Sequence, residues 1–374
     1  MSVKILQHSV VYRKEDEFAA WPFNGGMWQF SDGEIVVGFV RAKVDYIKPE
    51  TINHGYVDPE NGEAVFIRSK DGGKSWPKES IASFLKRPEF DLEADTAPSS
   101  HKSDKSYDPS ADGYMLWGGF GFPTKKRPAG VVTMVSNDRG RTWSSPVSLP
   151  TWLPGANRST FSFASGRPSY IVRDDGVILL FGYASRKQMD DKVTGIGEES
   201  IPVVWASWNG GASWGFLSEI ELTPKFPCGL LPDPLLLPNG HILLSVRRQY
   251  NGYNAFTQIY RSTDHGRTWN YFSRVNDWGA PANLLRMADG RIVCVYGYRQ
   301  QAWGIRASIS EDNGATWGRE IIIRDDGGSW DLGYPKSVIT PAGNILTVYY
   351  FNLANDPVQQ DGGVRHIAST LWSV

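Results

Sequence analysis

Four arginines are placed where they could together bind an acidic group, because each follows a strand-like segment of the chain at a similar distance. Counted from the glycine that opens each segment, they stand seven to nine residues on and are Arg41, Arg247, Arg248 and Arg299. A guanidinium group binds a carboxylate, sulfate or phosphate through two parallel N–H donors. One such arginine alone would be better explained by a surface salt bridge, so the prediction of an anion site depends on the set.

Other residues have side chains suited to nucleophilic attack or proton transfer. Tyr334 precedes the last strand-like segment, and nearby positive charge would favour its phenolate, the form that acts as a nucleophile or base. His54 lies in a polar loop, where an imidazole is a suitable acid or base, and Asp45 and Asp58 of the same loop are alternative proton donors. Tyr334 could equally be a core aromatic residue and His54 a solvated one, so the residues alone leave these roles open.

A tryptophan lies close to two of the arginines. Trp303 stands between Arg299 and Arg306 and has a flat aromatic face against which the C–H surface of a sugar can pack. Burial between strands is the ordinary role of tryptophan. The flanking arginines are the reason for choosing Trp303 as the substrate platform.

An eight-residue motif recurs five times and indicates how these residues are positioned. It reads Ser-x-Asp-x-Gly-x-Ser/Thr-Trp, with Asn for Asp in one copy. The copies end at Trp76, Trp143, Trp214, Trp269 and Trp317. The Asp or Asn oxygen can accept backbone N–H bonds across a tight turn, while glycine supplies a positive φ and tryptophan packs beneath. Because a turn explains every residue of the motif, we assign the motif no catalytic role.

A second element, usually Asp-Gly or Asn-Gly before a β-rich run, recurs six times. Its glycines are Gly33, Gly113, Gly176, Gly240, Gly290 and Gly343. Six repeats, each long enough for four strands, predict an all-β, six-bladed β-propeller. The sixth repeat ends before its turn motif, so the N-terminal segment KILQHSVVY is expected to supply its outer strand and close the ring. We predict one propeller domain over residues 1–374.

The composition argues against several classes of partner and cofactor. The chain has 39 Lys and Arg residues against 40 Asp and Glu residues, a net charge of -1 that offers no general attraction to nucleic acid or an anionic membrane. Two cysteines are too few for a disulfide framework or a cysteine-rich zinc site. No glycine-rich phosphate loop follows a strand and opens a helix, so we predict neither a nucleotide cofactor nor a metal.

The hydropathy of the chain indicates whether it is a membrane protein or a soluble one. No stretch approaches the roughly 20 apolar residues of a membrane helix, and the N-terminus lacks the apolar region of a signal peptide. We therefore expect a soluble protein, either cytoplasmic or the mature form of an exported one. The sequence leaves the compartment and the oligomeric state open.

The five turn motifs resemble the Asp-boxes, or BNR repeats, of the sialidase (neuraminidase) superfamily, and the resemblance covers essentially the whole chain. It implies a six-bladed β-propeller. Sialidases hold the substrate carboxylate with three arginines, use a tyrosine nucleophile paired with a glutamate, and use an aspartate as acid and base. Asp-box propellers also include lyases and proteins without catalytic activity, so the motifs specify the fold more narrowly than the function.

Carried over residue by residue, part of the family pattern matches this chain. The second arginine resembles Arg247, with Arg248 beside it. The third resembles Arg299, with Arg306 as an alternative. The nucleophile resembles Tyr334.

Other parts of the family pattern are missing or displaced. The first arginine is absent from residues 19–28, and the glutamate is absent before the fourth repeat glycine, where Asp233 is the only acid. The acid/base aspartate belongs in the loop after the first glycine strand, which offers Asp45, His54 and Asp58.

Together the residues and the resemblance favour a sialidase-like exo-glycosidase acting on a carboxylate-bearing sugar of a glycan at the propeller axis. In this hypothesis Tyr334 attacks or stabilises the anomeric centre, while Asp45, His54 or Asp58 protonates the leaving oxygen. The alternative is a polysaccharide lyase that cleaves a uronic-acid glycan, with Tyr334 or His54 removing the C5 proton. A third hypothesis is a noncatalytic propeller that binds glycans or proteins.

Overall fold

Nearly all of the regular secondary structure in the described residues is β-strand. The computed structural model describes residues 3–48, 51–54, 57, 61–86, 106–121, 130–150, 163–185, 200–222, 228–251, 254–358 and 362–374. Its strands form six antiparallel sheets arranged as a six-bladed β-propeller, so the fold class predicted from the repeats is confirmed. The one α-helix in these ranges, α1 (Pro22–Gly25), has four residues. No helix of the described residues is long and apolar enough to cross a membrane.

The strands are short and follow one another closely along the chain. In chain order they are β1 (Lys4–Tyr12), β2 (Glu17–Ala20), β3 (Met27–Gln29), β4 (Ile35–Lys43), β5 (Glu63–Ser69), β6 (Ala82–Lys86), β7 (Met115–Gly121), β8 (Gly130–Ser136), β9 (Val147–Ser148), β10 (Phe163–Val172), β11 (Ile178–Ser185), β12 (Ser200–Ser207), β13 (Gly215–Glu219), β14 (Gly229–Leu236), β15 (Ile242–Asn251), β16 (Asn254–Ser262), β17 (Asn270–Arg274), β18 (Ala282–Arg286), β19 (Ile292–Tyr298), β20 (Gly304–Ser310), β21 (Ile321–Arg324), β22 (Gly333–Ile339), β23 (Ile345–Phe351) and β24 (His366–Ser373). The sheet orders are β2-β4-β5-β6 with β3 beside β4, β7-β8-β9, β10-β11-β12-β13, β14-β15-β16-β17, β18-β19-β20-β21 and β22-β23-β24-β1.

The chain forms two compact units. The first comprises Met1–Asp91, Tyr250–Thr257 and Ser273–Val374, and the second comprises Leu92–Gln249 and Gln258–Phe272. The expectation of one domain over the whole chain stays a prediction.

The outer strand of the sixth sheet comes from the N-terminus, as predicted. β1 has the sequence KILQHSVVY and pairs antiparallel with β24, from Lys4 opposite Ser373 to Tyr12 opposite Ile367. This pairing covers an edge of β24 that would otherwise expose a row of backbone N–H and C=O groups.

The repeated eight-residue motifs form the predicted turns, which join the third and fourth strands of four sheets and join β8 to β9 in the three-stranded sheet. In the second copy Ser136 Oγ donates to Asp138 Oδ1 at 2.7 Å and accepts from the Gly140 N–H at 2.8 Å. The Thr142 N–H donates to Asp138 Oδ1 at 2.8 Å, and Trp143 Nε1 donates to the Gly140 carbonyl at 3.2 Å. Burial alone would raise the pKa of Asp138, but these hydrogen bonds outweigh it and lower the pKa to about 2. The turn therefore accounts for each residue of the motif.

Antiparallel pairing separates two kinds of connection to opposite ends of each sheet. In the three sheets that begin with β10, β14 and β18, the Asp-Gly turns join first to second strands and the Asp-box turns join third to fourth strands, so both lie at one end. The loops from second to third strands, and the segments that enter first strands, lie at the other end. The candidate site described below is built from this second kind of loop.

The core of the first unit is apolar, with a few buried charged residues. Fully buried side chains such as Val37, Ile305 and Trp372 form its two apolar clusters, and each buried aliphatic side chain contributes about 1.5–3 kcal/mol. A charge in such surroundings is costly unless it is paired and hydrogen-bonded. Asp331 and Arg365 are buried here, and both belong to the hydrogen-bond network of the candidate site.

Candidate active site

A buried carboxylate, that of Asp331, organises the candidate site of the first unit. It lies just before β22 and is 4% exposed. Oδ1 lies 2.9 Å from His54 Nε2 and accepts a hydrogen bond from the Tyr350 hydroxyl at 2.7 Å. Oδ2 accepts a hydrogen bond from Arg365 Nε at 3.1 Å. Burial alone would raise the pKa of Asp331, but His54, Arg365 and the Tyr350 hydroxyl outweigh it and hold the pKa well below its usual range.

The loop that carries Asp331 is held in place by Asn352, a fully buried residue at the end of β23. Asn352 Nδ2 donates to the Asp331 carbonyl oxygen at 2.7 Å. Asn352 Oδ1 accepts the N–H groups of Gly328 and Ser329 at 2.8 and 2.7 Å. One amide thus satisfies three backbone groups of the loop and fixes the position of the carboxylate.

His54 presents a half-exposed imidazole to the site. It lies in the loop between β4 and β5, and its side chain is 38% exposed. The Trp21 ring meets it edge-on at 5.1 Å between centroids, and the Trp330 ring lies 6.2 Å away. Because Asp331 holds Nε2, Nδ1 is the nitrogen left to exchange a proton with a substrate. A carboxylate in this position orients the imidazole.

Arg299, just after β19, connects Asp331 to Tyr334. Its Nε and Nη2 donate to the Leu332 carbonyl oxygen at 3.2 and 3.1 Å, and Nη2 donates to the Tyr350 hydroxyl at 3.3 Å. Its Cζ lies 5.4 Å from the centroid of the Tyr334 ring and 5.8 Å from that of Trp330. Both distances are typical of cation–π contacts. We call His54, Arg299, Asp331, Tyr334 and Tyr350 the Asp331 cluster.

Tyr334 has an uncommon backbone conformation. Its φ is 51°, and it occupies an irregularity in the pairing of β22 with β23 between Gly333 and Lys336. Positive φ is uncommon for residues other than glycine. The tyrosine ring lies 5.9 Å from that of Tyr350, and no described residue hydrogen-bonds its hydroxyl. The irregularity turns the start of the strand and sets Tyr334 beside Arg299.

Tyr350 acts as a neutral hydrogen-bond donor. It is fully buried, and burial together with the neighbouring Asp331 carboxylate raises its pKa well above the usual value, although Arg299 opposes the rise. Its proton therefore stays on the phenol and is directed at Asp331. Tyr350 positions the carboxylate rather than exchanging protons with a substrate.

The roles of Asp331, Tyr350 and Arg365 were not predicted from the sequence. Asp331 stands three residues before Tyr334, and Tyr350 stands seven residues after its repeat glycine, the same count as Arg247. Both positions could have been found by counting along the repeats. Arg365 follows no such count, because it stands 22 residues after its repeat glycine, just before β24.

Arg41 has carboxylate partners of its own. Its Nε donates to Glu63 Oε2 at 2.9 Å, and Nη1 donates to the Tyr12 hydroxyl at 2.8 Å. Arg41 stands eight residues after its repeat glycine. Tyr350 stands seven and Arg299 nine residues after theirs, so the position of Arg41 differs from each by one residue. Because side chains alternate between the two faces of a strand, this step is expected to turn Arg41 to the other face from Tyr350, and substrate binding by Arg41 stays a prediction.

Arg306 and Trp303 support the loop after β19. Arg306 is 4% exposed and donates to the carbonyl oxygens of Arg324 and Ala302 at 2.5 and 2.9 Å. Trp303 is partly buried against an apolar cluster of the core. Substrate binding by either residue stays a prediction.

Asp45 caps a turn of its own loop. Its Oδ1 accepts the Ile47 N–H at 3.0 Å, and its Oδ2 lies 3.3 Å from Lys48 Nζ. The Ile47 N–H and then Lys48 lower its pKa. Its role as a proton donor stays a prediction, and Asp58 lies outside the described residues.

The second unit contains the remaining predicted residues. Arg248 is fully buried, and its Nη1 donates to Gln258 Oε1 at 2.7 Å. Arg247 is 3% exposed. Asp233 is 2% exposed and accepts a hydrogen bond from Ser169 Oγ at 3.1 Å. The roles predicted for these three residues stay predictions.

The Asp331 cluster supplies an imidazole, a carboxylate, a guanidinium and two phenols. Among the residues that the structure describes, no three His, Cys, Asp or Glu side chains are grouped so that they could hold a metal ion.

A six-bladed β-propeller with Asp-box turns at one end of its sheets and a polar cluster at the other defines the class of BNR-repeat propellers. Residues 120–347 match the family model described as the BNR repeat-like domain. The chain belongs to this family. The resemblance to the sialidase superfamily, first seen in the turn motifs, is confirmed.

Two curated sialidases are similar to part of the chain. One from Clostridium perfringens is 28% identical over 157 residues, which cover 41% of this chain and 37% of the relative. One from Paraclostridium sordellii is 25% identical over 201 residues, which cover 49% and 48%. The chain spans less than half the length of the curated relatives that it matches.

Solved structures extend the similarity to the whole fold. A protein of unknown function from Dyadobacter fermentans has a TM-score of 0.77 at 25% identity, covering 100% of this chain and 99% of that one. A mutant of Trypanosoma rangeli sialidase displaying trans-sialidase activity has a TM-score of 0.60 at 13% identity, covering 99% and 60%. At 13% identity, the similarity to the Trypanosoma rangeli sialidase mutant shows a common fold alone.

Proposed function

We propose that this protein is an exo-glycosidase that acts on a carboxylate-bearing sugar of a glycan at the Asp331 cluster. The observation that carries the proposal is the half-exposed imidazole of His54, 2.9 Å from the buried Asp331 carboxylate and on the same network as Arg299 and Tyr334. An acid, an anion-binding group and a nucleophile are thereby available together. The similarity to sialidases supports the choice of reaction.

Arg299 is the group proposed to bind the sugar carboxylate. Two hydrogen bonds to the Leu332 carbonyl oxygen and one to Tyr350 hold its guanidinium in a fixed orientation. A guanidinium already held in place loses little freedom when an anion binds. The acidic group would then anchor the sugar ring over Tyr334.

His54 and Tyr334 are proposed to carry out the chemistry in two steps. In the first, the Tyr334 oxygen bonds to the anomeric carbon and its proton leaves to solvent, while the glycosidic bond breaks and the leaving oxygen takes a proton from His54. In the second, a water attacks the anomeric carbon, gives one proton to His54, and releases Tyr334 to recover its phenolic proton. One water is added for each bond cleaved.

A specific observation favours a second candidate, a lyase for uronic-acid glycans. No described carboxylate contacts the Tyr334 hydroxyl, whereas a carboxylate holds His54 in the orientation of a base. In this reaction His54 removes the C5 proton of a uronate, the bond from C4 to the leaving oxygen breaks, and a C4–C5 double bond forms. The leaving oxygen takes up a proton from Tyr334, and Arg299 neutralises the uronate carboxylate.

The test is mass spectrometry of the products formed from sialylated and uronate-bearing oligosaccharides. A glycosidase releases products that together carry one added water, whereas a lyase leaves an unsaturated uronate and adds none. The variants Tyr334→Phe and His54→Gln should each lower the rate about 100-fold or more. Tyr298→Phe, which removes a phenol on β19 whose ring packs against Arg306, is the matched control.

The outcomes separate the hypotheses. Wild-type products that carry one added water, and that Tyr334→Phe no longer forms, support the glycosidase. Wild-type products with an unsaturated uronate, which His54→Gln no longer forms, support the lyase and contradict the glycosidase. No turnover of any substrate, or turnover unchanged in both variants, contradicts catalysis at this cluster and leads to the noncatalytic hypothesis.

A further inference from the structure

Tyr46 connects three segments of the first unit through its hydroxyl group. It lies in the loop between β4 and β5 that also carries His54, and it is 7% exposed. Its hydroxyl donates a hydrogen bond to the Glu17 carbonyl oxygen at 3.1 Å and accepts the Arg365 N–H at 2.9 Å. Glu17 begins β2 and Arg365 directly precedes β24, so this hydroxyl fastens the loop to strands of two different sheets.

Arg365 is held by its backbone and by its side chain. Its carbonyl oxygen accepts the Ala19 N–H at 3.1 Å, and its Nη1 donates to the Gly363 carbonyl oxygen at 2.8 Å. Its own N–H donates to Tyr46. These bonds direct Arg365 Nε to Asp331 Oδ2, so the place of the guanidinium against the carboxylate depends in part on the Tyr46 hydroxyl.

The turn between Tyr46 and His54 is closed by a threonine. Thr51 Oγ1 accepts the Asp45 N–H at 3.0 Å and donates to the Asp45 carbonyl oxygen at 3.1 Å. Ile52, two residues before His54, is buried in the same apolar cluster as Tyr46. The position of Tyr46 is thereby passed along a closed, packed turn to His54.

Tyr46 keeps its phenolic proton. Burial raises the pKa of Tyr46 well above the usual value, and the charges of Asp331 and Asp356 add to the rise, although Arg365 opposes it. The hydroxyl therefore stays a donor to Glu17 while it accepts from Arg365. A phenol in this state fixes geometry and does not exchange protons with a substrate.

We propose that Tyr46 is a positioning residue of the candidate site. Its hydroxyl holds the His54 loop and Arg365 in one register, so that the imidazole and the guanidinium meet opposite oxygens of the Asp331 carboxylate. The inference rests on the proposed function and adds a residue that acts without touching the substrate. Because a small displacement of a reacting group can cost much of the rate, loss of this hydroxyl should lower kcat.

The experiment removes the hydroxyl alone, with the variant Tyr46→Phe in the full chain. The matched control is Tyr114→Phe, which removes another buried hydroxyl that donates to a backbone carbonyl oxygen, that of Gly210 at 3.0 Å, in the second unit. Turnover is measured with 3′-sialyllactose and with trigalacturonic acid. Thermal unfolding is followed for every variant.

Tyr46→Phe should lower kcat about tenfold and leave KM within about twofold of wild type. KM is spared because Arg299, the group proposed to bind the acidic sugar, keeps its hydrogen bonds to Leu332 and Tyr350. Tyr114→Phe should keep both constants of wild type. Each variant loses a buried hydrogen bond, so both thermal midpoints should fall by about 2–4 °C.

A double-mutant cycle tests whether Tyr46 acts through Asp331. Tyr46→Phe added to Asp331→Asn should lower kcat by less than about twofold further, because the carboxylate that the hydroxyl helps to position is already gone. A merely structural role of Tyr46 would instead multiply the two losses.

A proton resonance of His54 gives a readout that is independent of turnover. Because an ionised carboxylate only accepts hydrogen bonds, His54 Nε2 is the donor to Asp331 Oδ1. This N–H should give a downfield resonance in wild type that is missing from His54→Gln. The resonance should broaden through exchange with water in Tyr46→Phe and stay sharp in Tyr114→Phe.

Three results overturn the positioning role. They are a kcat of Tyr46→Phe within about twofold of wild type, an equal loss in Tyr114→Phe, and full multiplication of the losses in the double variant. The proposed function fails separately, if neither substrate is cleaved or if Tyr334→Phe and His54→Gln do not alter turnover. The resonance then decides alone: its loss in Tyr46→Phe supports the positioning role, and its persistence there or its absence from wild type contradicts it.

Discussion

Asp331 carries a negative charge inside the first unit, where a lone carboxylate would be strongly disfavoured. Its two oxygens are shared among an imidazole, a phenol and a guanidinium, so the charge is divided over three hydrogen bonds. The same arrangement that stabilises the carboxylate orients His54. Stability and acid–base chemistry therefore depend on one residue.

The variant Asp331→Asn tests this dual role. It leaves Arg365 buried without its negative partner, which should lower the free energy of unfolding by about 3–5 kcal/mol. It also removes the carboxylate that orients the His54 imidazole, so kcat/KM should fall by about 100-fold or more. Chemical denaturation and product assays measure the two effects. Asp45→Asn, a change in an exposed turn, should cost less than about 1 kcal/mol.

The pH dependence of this stabilisation has a definite sign. Because the native pKa of Asp331 is held below its ordinary value of 3.8, its contribution is present above that value and is lost as the pH falls through the native pKa. The stability difference between wild type and Asp331→Asn should persist down to about pH 4 and shrink below it. A difference already gone at pH 5 would contradict the ionised carboxylate.

His366 should give the protein a second acid sensitivity of the same sign, at a higher pH. The ring is 1% exposed, and burial lowers its pKa from 6.5 to about 4, against a hydrogen bond to the Val364 carbonyl group that favours the charged form. The unfolded chain therefore binds a proton between these pH values and the native protein does not, so stability falls as the pH drops through this window. The loss amounts to about 3 kcal/mol by pH 4.

The variant His366→Gln removes this titration. The slope of unfolding free energy against pH between 6.5 and 4 should decrease by about 1.4 kcal/mol per pH unit. The exposed His265→Gln serves as the control and should leave the slope unchanged. An unchanged slope in His366→Gln would show that other groups govern this window.

At the scale of elements, the site depends on how the first strand of a sheet begins. Trp21, Leu231 and Tyr334 all have positive φ and each precedes a proline, at the start of three of the six repeats. The irregularity at Tyr334 is thus a recurring feature of the repeats rather than a strain confined to one site. In the sixth repeat the residue with this conformation is a tyrosine, Tyr334.

A close approach between β19 and β22 sets the position of Tyr334. A Cβ atom at Gly297 would lie 2.9 Å from the Gly333 Cα atom. The variant Gly297→Ala should therefore push the start of β22 away, with a loss of about 1–3 kcal/mol in stability and about tenfold or more in kcat/KM. Denaturation and product assays measure both.

Gly318→Ala is the matched control for this change. Gly318 is exposed, and a Cβ atom there would meet only the Ile309 carbonyl oxygen, at 3.3 Å. Stability and activity should both stay close to those of wild type. Wild-type activity in Gly297→Ala would mean that the close approach does not position Tyr334.

At the scale of the whole molecule, the pairing of β1 with β24 joins strands that are far apart in the sequence, and we expect it to stabilise the fold. β1 supplies the outer strand of the sixth sheet and buries Val11 and Tyr12 against the first unit. Deletion of residues 1–12 exposes the edge of β24 and this apolar surface. The thermal midpoint should fall by about 10 °C or more, and the protein should aggregate.

Two controls accompany this deletion. Removal of residues 1–3 alone leaves β1 intact and should have little effect on the midpoint. A synthetic KILQHSVVY peptide added to the longer deletion should restore part of the lost stability by pairing with β24. Thermal unfolding unchanged by the longer deletion would show that β1 contributes little to the fold.

The sequence by itself determined the six repeats, the Asp-box turns and the strand that completes the sixth sheet. These features depend on interactions between near neighbours. Asp138, for example, binds groups three and four residues away, and the glycine of each turn adopts its own positive φ. Such patterns can be read from residue types and spacing without any knowledge of distant contacts.

Only the tertiary structure decided which of the candidate side chains meet. His54 and Asp331 are 277 residues apart in the chain, and their contact depends on how the loops of different sheets are set against each other. Counting from the repeat glycines separates Arg41 from Arg299 by one residue, but it does not show which partners each guanidinium meets: Glu63 and Tyr12 for Arg41, and Leu332 and Tyr350 for Arg299. The candidate site is therefore a product of register and strand irregularity, which spacing along a single sequence does not encode.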